Sequence, residues 1–235
     1  MIQSKPKLFA LLALIFGFNY LETIVETWLK DKYKVGIDLA ASVTNAVQQV
    51  ERNYNFANYD LTNSFAVYGY SIAYYFIFPL LALLLCYALA RRQEISPFRV
   101  MTFAVLIDYL VSLPFFIFFP VMERWTSADS GSMLLSDRWS SRLMESMRPL
   151  SALDNCFPSS HVSVTVVMIL ICYLFKVQFR SAVLALGTTI ILSTLVLGIH
   201  WLPDVIAGLG VGCLSVALAA RLDKLATKRN LRPAF

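Results

Sequence analysis

FPSSHVSVTVVMILICYLFKVQFRSAVLALGTTIILSTLVLGIHWLPD, residues 157–204, reads as two apolar helices laid back to back, with polar chemistry gathered at both open ends. From His161 the chain is apolar to Phe175, turns through Lys176–Arg180, and is apolar again from Ser181 to Ile199. A helix advances about 1.5 Å per residue, so the return leg retraces the outgoing one. The segments Phe157-Pro158-Ser159-Ser160-His161 and His200-Trp201-Leu202-Pro203-Asp204 therefore meet on one side of the hairpin. They contain the only 2 histidines in 235 residues. That juxtaposition marks a site.

The solvent for this hairpin follows from composition. Hydrophobic residues make up 58% and charged residues 15%, with a mean hydropathy of +0.64, whereas a soluble domain carries about 25% charged residues. Six stretches approach the roughly 20 apolar residues that cross a hydrocarbon core: 7–28, 64–90, 100–121, 159–175, 181–199 and 203–220. The expected fold is all-α, a polytopic membrane protein of six transmembrane helices forming one integral domain over 1–235. The fourth span is short, so it stands upright or starts inside a protein-lined cavity.

With both termini on one side of the bilayer, that side collects 12 of the 20 Lys and Arg residues. The bias puts the termini in the cytoplasm and the histidine site on the outer face, in the inner membrane if the cell is bacterial. The net charge of +5 is then mostly a topology signal, and no nucleic-acid partner is expected. Cys86, Cys172 and Cys213 fall inside spans as small hydrophobes. Cys156 lies in the outer loop without an obvious partner, and no structural disulfide is expected.

Two outer segments interrupt the spans. Residues 36–52 place Ile37, Ala40, Ala41, Val43, Val47 and Val50 at helical spacing, as in an amphipathic helix on the interface or a connecting helix against the bundle. Residues 122–158 are the longest polar stretch and have the length of a lid or substrate platform.

His161 follows Pro158-Ser159-Ser160 where a helix can start, and serine hydroxyls with free backbone N–H groups at a helix N-terminus attract anions. His200 closes the fifth span, and Asp204 follows four residues later beside Pro203, a good first-turn residue. A carboxylate that accepts from one imidazole nitrogen leaves the other nucleophilic. Arg148-Pro149 lies ten residues before Ser159, and arginine suits bidentate phosphate binding. The set fits phosphoryl transfer through a phosphohistidine. A metal site of His161, His200 and Asp204 lacks a further ligand or second shell, so neither metal nor other cofactor is expected.

These motifs resemble the type 2 phosphatidic acid phosphatase and haloperoxidase superfamily. Its Pro-Ser-Gly-His motif is matched by Pro158-Ser159-Ser160-His161, with serine in place of glycine. Its Ser-Arg, five residues, His, three residues, Asp motif is matched by Ser193, His200 and Asp204, with Thr194 at the arginine position. Its Lys, six residues, Arg-Pro motif keeps Arg148-Pro149, with Ser141 at the lysine position and Arg142 beside it. The resemblance covers 141–208. It implies His200 as nucleophile, Asp204 as its orienting partner and His161 as the acid for the leaving oxygen. Ser159, Ser160, Arg148 and Arg142 would hold phosphate, with Arg142 or Arg124 replacing the missing basic residues.

The implied substrate is a lipid phosphate or phospholipid, processed without metal. The lost motif charges resemble the branch of inositol phosphorylceramide synthases and sphingomyelin-synthase-like transferases, which act on phosphodiesters. A transporter lined by Asp108, Glu22 and Glu26 is a competing reading, but no inverted repeat is visible. A scaffold with a decayed site is another, suggested by Thr194 and Ser141. Asp108, near mid-membrane, reads first as a buried hydrogen-bond anchor, and Glu22 and Glu26 as partners for Lys30 or another base. Gly208 and Gly212 offer a small-residue seam for helix packing.

Overall fold

In the computed structural model the described residues are 2, 4–33, 37–52, 64–127, 130, 132–138 and 153–230. They are helical almost throughout and contain no β-strand, only one isolated parallel bridge between Val121 and Asn155. In chain order the helices are α1 (Lys5–Tyr33), α2 (Ile37–Arg52), α3 (Ser64–Ile72), α4 (Phe78–Arg91), α5 (Ser96–Phe118), α6 (Ser160–Leu174), α7 (Arg180–Val196) and α8 (Leu202–Asn230). A π turn, Ala73–Ile77, joins α3 to α4, so the two run on as one apolar rod.

Four helical stretches are long and apolar enough to cross a bilayer: Lys5–Val25, Phe65–Arg91, Ser96–Phe118 and Leu202–Lys228. Each buries less than half of its apolar window. Phe16, Phe18, Leu83, Tyr87 and Leu214 accordingly point away from the bundle, as expected where the surrounding medium is lipid. The remaining two of the six expected spans are shorter. α6 and α7, at 15 and 17 residues, measure about 22 and 26 Å, less than the roughly 30 Å of hydrocarbon. The reason is local: α6 cannot begin before Pro158-Ser159, and α7 stops at Gly198.

Helices α5, α6 and α8 form the centre. Gly208 and Gly212 of α8 face α6 so closely that an added Cβ would lie 2.7 Å from the Ser159 carbonyl oxygen and 2.5 Å from that of Ser163. The expected small-residue seam is this contact. Asp108 of α5 accepts a hydrogen bond from Ser163 Oγ of α6 at 3.1 Å, the anchor role expected for it. At the end of the bundle away from the histidines, Arg99 of α5 pairs with Asp223 of α8 at 2.5 Å, and Ser96 Oγ donates to the same carboxylate at 2.7 Å. Lys5 donates to the Arg92 carbonyl, and Arg92 to that of Phe175. Glu22 is half-buried on α1, while the side chains of Glu26 and Lys30 lie outside the described residues.

α2 packs on the body. It buries Thr44, Val47, Gln48 and Glu51, and Thr44 Oγ1 accepts from the Met122 N–H at 2.9 Å. Of the two readings of 36–52, this face is that of a helix against the bundle.

Replacing Gly212 by alanine should destabilise the protein by about 1–3 kcal/mol, because the new methyl meets the Ser163 carbonyl and, at 2.8 Å, Val166 Cβ. Gly210, on the same helix, has nothing within 4 Å of its Cβ position. Gly210→Ala should hold or slightly raise the thermal midpoint in detergent, so the pair of midpoints checks the seam.

Candidate functional site

The site forms where α7 ends and α8 begins. Leu197 closes α7, and Gly198 takes φ +74, a left-handed conformation suited to glycine after a helix. A side chain there would also strike Ser132 Oγ at 2.5 Å and the Met133 carbonyl at 2.8 Å. The turn folds back so that the N–H groups of Ile199 and His200 both donate to the Thr194 carbonyl, at 3.2 and 3.0 Å.

The chain that follows α5 is sewn to this turn. Arg124 N–H donates to the Ile199 carbonyl, Trp125 N–H to Gly198 and Leu135 N–H to Leu197.

α8 opens with a reciprocal cap. The Asp204 carboxylate accepts from the Trp201 N–H at 2.9 Å, the side-chain half of a capping box. Glu51, reaching over from α2, accepts from the Leu202 N–H at 2.9 Å and pairs with Arg124 at 3.1 Å. Two carboxylates thus sit on the positive end of α8. Trp201 is fully buried against Val47, Val121 and Cys156, and its indole N–H donates to the Met122 carbonyl at 2.9 Å.

Within this frame His200 Nδ1 stands 3.5 Å from Asp204 Oδ2, in contact but longer than a hydrogen bond. Both side chains are buried, and neither His200 Nδ1 nor Asp204 Oδ1 has a hydrogen-bond partner. Burial pushes the His200 imidazole down to about 4, partly offset by hydrogen bonding to the Cys156 backbone. It is neutral at physiological pH.

Ser159 caps α6: its hydroxyl accepts from the Val162 N–H at 3.4 Å, and its own N–H donates to the Asp204 carbonyl at 3.2 Å. The first turns of α6 and α8 are therefore joined directly. Ser160 and His161 carry the first N–H groups of α6, which a helix leaves without an internal acceptor. The His161 ring stacks on Tyr74 at 4.1 Å between centroids and leans on Phe78 at 4.6 Å. It is near enough to His200 for a charge on either to be felt by the other.

So His161, Ser159, His200 and Asp204 come together. Ser160 stands at the same helix start, half-buried. Arg142 and Arg148 lie outside the described residues. Arg124 is committed to Glu51 and lies 5.9 Å from the Trp201 ring. Thr194 and Ser193 are buried with their hydroxyls donating to α7 carbonyls, those of Ile191 and Ile190.

Four contributors escape a sequence reading. Glu51 is 151 residues from Leu202. Tyr74 is aimed by a π turn, a feature frequent at functional sites. Cys156 belongs to the cluster, its Sγ lying with one ligand atom each of His200 and Asp204 within 4.8 Å. Only Gly198, just past an apolar helix, carried a readable signal.

Residues 119–228 match the family model described as PAP2 superfamily. No curated protein and no solved structure gives a match.

Because His200 is held neutral when folded but has an ordinary value near 6.5 when unfolded, the unfolded chain takes up its proton first as pH falls. The stability tied to this group is complete above about pH 6.5 and is lost on the way down to about 4. The thermal midpoint in detergent should therefore drop between about pH 7.5 and about pH 5, and drop less in His200→Gln.

Proposed function

We propose, from the match of residues 119–228 to the PAP2 superfamily model, whose members are phosphatases or phosphotransferases, that this protein is a membrane-embedded enzyme transferring phosphoryl groups of a lipid phosphate or phospholipid through a phosphohistidine on His200. The observation that carries the reading is the buried His200–Asp204 pair at 3.5 Å, with Ser159 and His161 at the start of the adjoining helix.

The chemistry runs in two halves. With the proton of the neutral ring on Nδ1, facing Asp204, the lone pair of His200 Nε2 attacks phosphorus. An N–P bond forms, the P–O bond to the lipid or headgroup breaks, and the leaving oxygen takes a proton from His161. The oxygen of water or an alcohol then attacks phosphorus, gives its proton to His161, and the P–N bond breaks. Asp204 keeps the ring oriented and stabilises the charge it gains. The N-terminus of α6, with Ser160, and the loop arginines Arg148 and Arg142 receive the phosphate oxygens.

In this reading six helices cross the bilayer, both termini are cytoplasmic and the site opens to the outer face. The shortness of α6 and α7, 15 and 17 residues, supports a site set below that surface, near the depth of lipid headgroups. Water as acceptor gives a phosphatase, and an alcohol gives a headgroup transferase. Thr194 in place of the motif arginine favours the transferase, because a diester brings one negative charge and a monoester nearly two.

His200→Ala and His161→Ala should each abolish turnover while the protein stays folded in detergent, and Asp204→Asn should be severe but milder. Turnover should survive EDTA and fall with vanadate, which imitates five-coordinate phosphorus. The assay is mass spectrometry of products from a panel of lipid phosphates and phosphodiester lipids. A well-folded histidine variant with near-normal turnover sinks the assignment, and efficient monoester hydrolysis without diester transfer selects the phosphatase.

A further inference from the structure

Cys156, His200 and Asp204 each present one ligand atom within 4.8 Å of the others, and all three are buried. They come from two separate segments, one before α6 and one after α7, that the turn at Gly198 and the capped start of α8 hold together. Two of the three groups keep unused acceptor atoms: His200 Nδ1 and Asp204 Oδ1 are buried without any hydrogen-bond partner. Cys156 Sγ has only a long contact to the Ile199 carbonyl, at 3.7 Å. A histidine with an orphaned nitrogen, a carboxylate with an orphaned oxygen and a thiol, gathered within 4.8 Å, form an unfilled coordination set.

We propose that this triad binds a thiophilic divalent cation, zinc foremost, and that the bound ion switches the enzyme off. The proposal rests on the phosphohistidine reading for its inhibitory half only. Tetrahedral zinc holds sulfur at about 2.3 Å and nitrogen or oxygen at about 2.0–2.2 Å, so its ligand atoms stand about 3.5 Å apart. His200 Nδ1 and Asp204 Oδ2 already have that separation, 3.5 Å, and Oδ2, which accepts from the Trp201 N–H, keeps a second lone pair. Thiolate and carboxylate together balance the two positive charges of the ion.

Binding is balanced as follows. The Cys156 thiol gives its proton to solvent and sulfur takes the metal. The metal takes the Nδ1 lone pair, so the proton of the neutral ring moves to Nε2. The nitrogen that would attack phosphorus then has no free lone pair, and Asp204 is drawn from orienting the ring to ligating the ion. Inhibition follows without any contact between metal and substrate.

The test uses the full-length protein in detergent, stripped with a chelator, in wild type and Cys156→Ala; Cys156→Ser, close in size, serves as a second variant. Cobalt is titrated first, because a thiolate-to-cobalt absorption reports a cysteine ligand whatever the activity. One equivalent should develop that absorption in the wild type and not in the variants. Zinc should then inhibit wild-type turnover at a concentration at least about tenfold below that needed for the variants, each read against its own metal-free turnover. No thiolate absorption in the wild type, its persistence in the variants, or equal zinc sensitivity overturns the proposal. So does turnover lost in EDTA and restored by zinc, which would make the ion catalytic. A cobalt site that depends on Cys156 in a protein with no turnover on any lipid phosphate keeps the metal site and discards the phosphohistidine reading.

Discussion

The start of α8 is the constraint on which the site depends. A helix leaves its first N–H groups unpaired, and in a buried position each needs an acceptor. Here two carboxylates supply them: Asp204 takes the Trp201 N–H and Glu51 takes that of Leu202. Asp204 thereby does two jobs with one oxygen, capping the helix and facing His200 at 3.5 Å. The position of the His–Asp pair is thus fixed by helix capping before any substrate arrives, and α2 is tied to it through Glu51. Arg124 closes the arrangement by balancing Glu51 while its backbone N–H holds Ile199.

Close approach of α6 to α8 does the rest. Without side chains at Gly208 and Gly212 the two backbones meet, and Ser159 N–H reaches the Asp204 carbonyl. A bulkier seam would separate the start of α6 from the start of α8, and with it His161 from His200. In lipid, where burial of apolar surface gives helices little reason to associate, such packing and the Ser163–Asp108 hydrogen bond supply the specificity. The Arg99–Asp223 pair at the other end keeps α5 and α8 in register.

Much of this could be read from the residues. The apolar runs mark every long helix, since hydrophobicity along a continuous stretch is a local property. The meeting of residues 157–161 with 200–204 follows from equal helix lengths, and Gly208, Gly212 and Asp108 behave as their types and depths suggest. What stayed hidden depends on distant partners or on small backbone changes. Nothing near Glu51 in the chain announces that it caps a helix 151 residues away. The π turn at Ala73–Ile77 turns Tyr74 onto His161, and no composition rule foretells one extra residue in a turn. Cys156 looked solitary because its neighbours come from the far side of the hairpin. The lengths of α6 and α7 fall short of full spans because capping and glycine, rather than hydrophobicity, set their ends.

The charge around the site bears on which phosphate it takes. Of the basic residues proposed to replace the missing motif cations, Arg124 is engaged by Glu51 and stands by the Trp201 ring. Thr194, at the arginine position, turns its hydroxyl back to Ile191 and offers its carbonyl to His200. Converting it to a cation would put a guanidinium into a fully buried place. Arg124 in turn balances Glu51, so the carboxylate left facing His200 at this end of α8 is that of Asp204. A doubly charged phosphate entering such surroundings meets more repulsion than a singly charged one, and the difference grows as water is excluded. Arg142 and Arg148, the other arginines proposed to oppose it, lie outside the described residues. Under the proposed chemistry this weighs toward a phosphodiester, whose single charge needs less compensation. The Asp204 carboxylate that in this reading repels a monoester is also a ligand of the proposed cation site, so the substrate preference and the metal binding, as proposed, share one electrostatic cause.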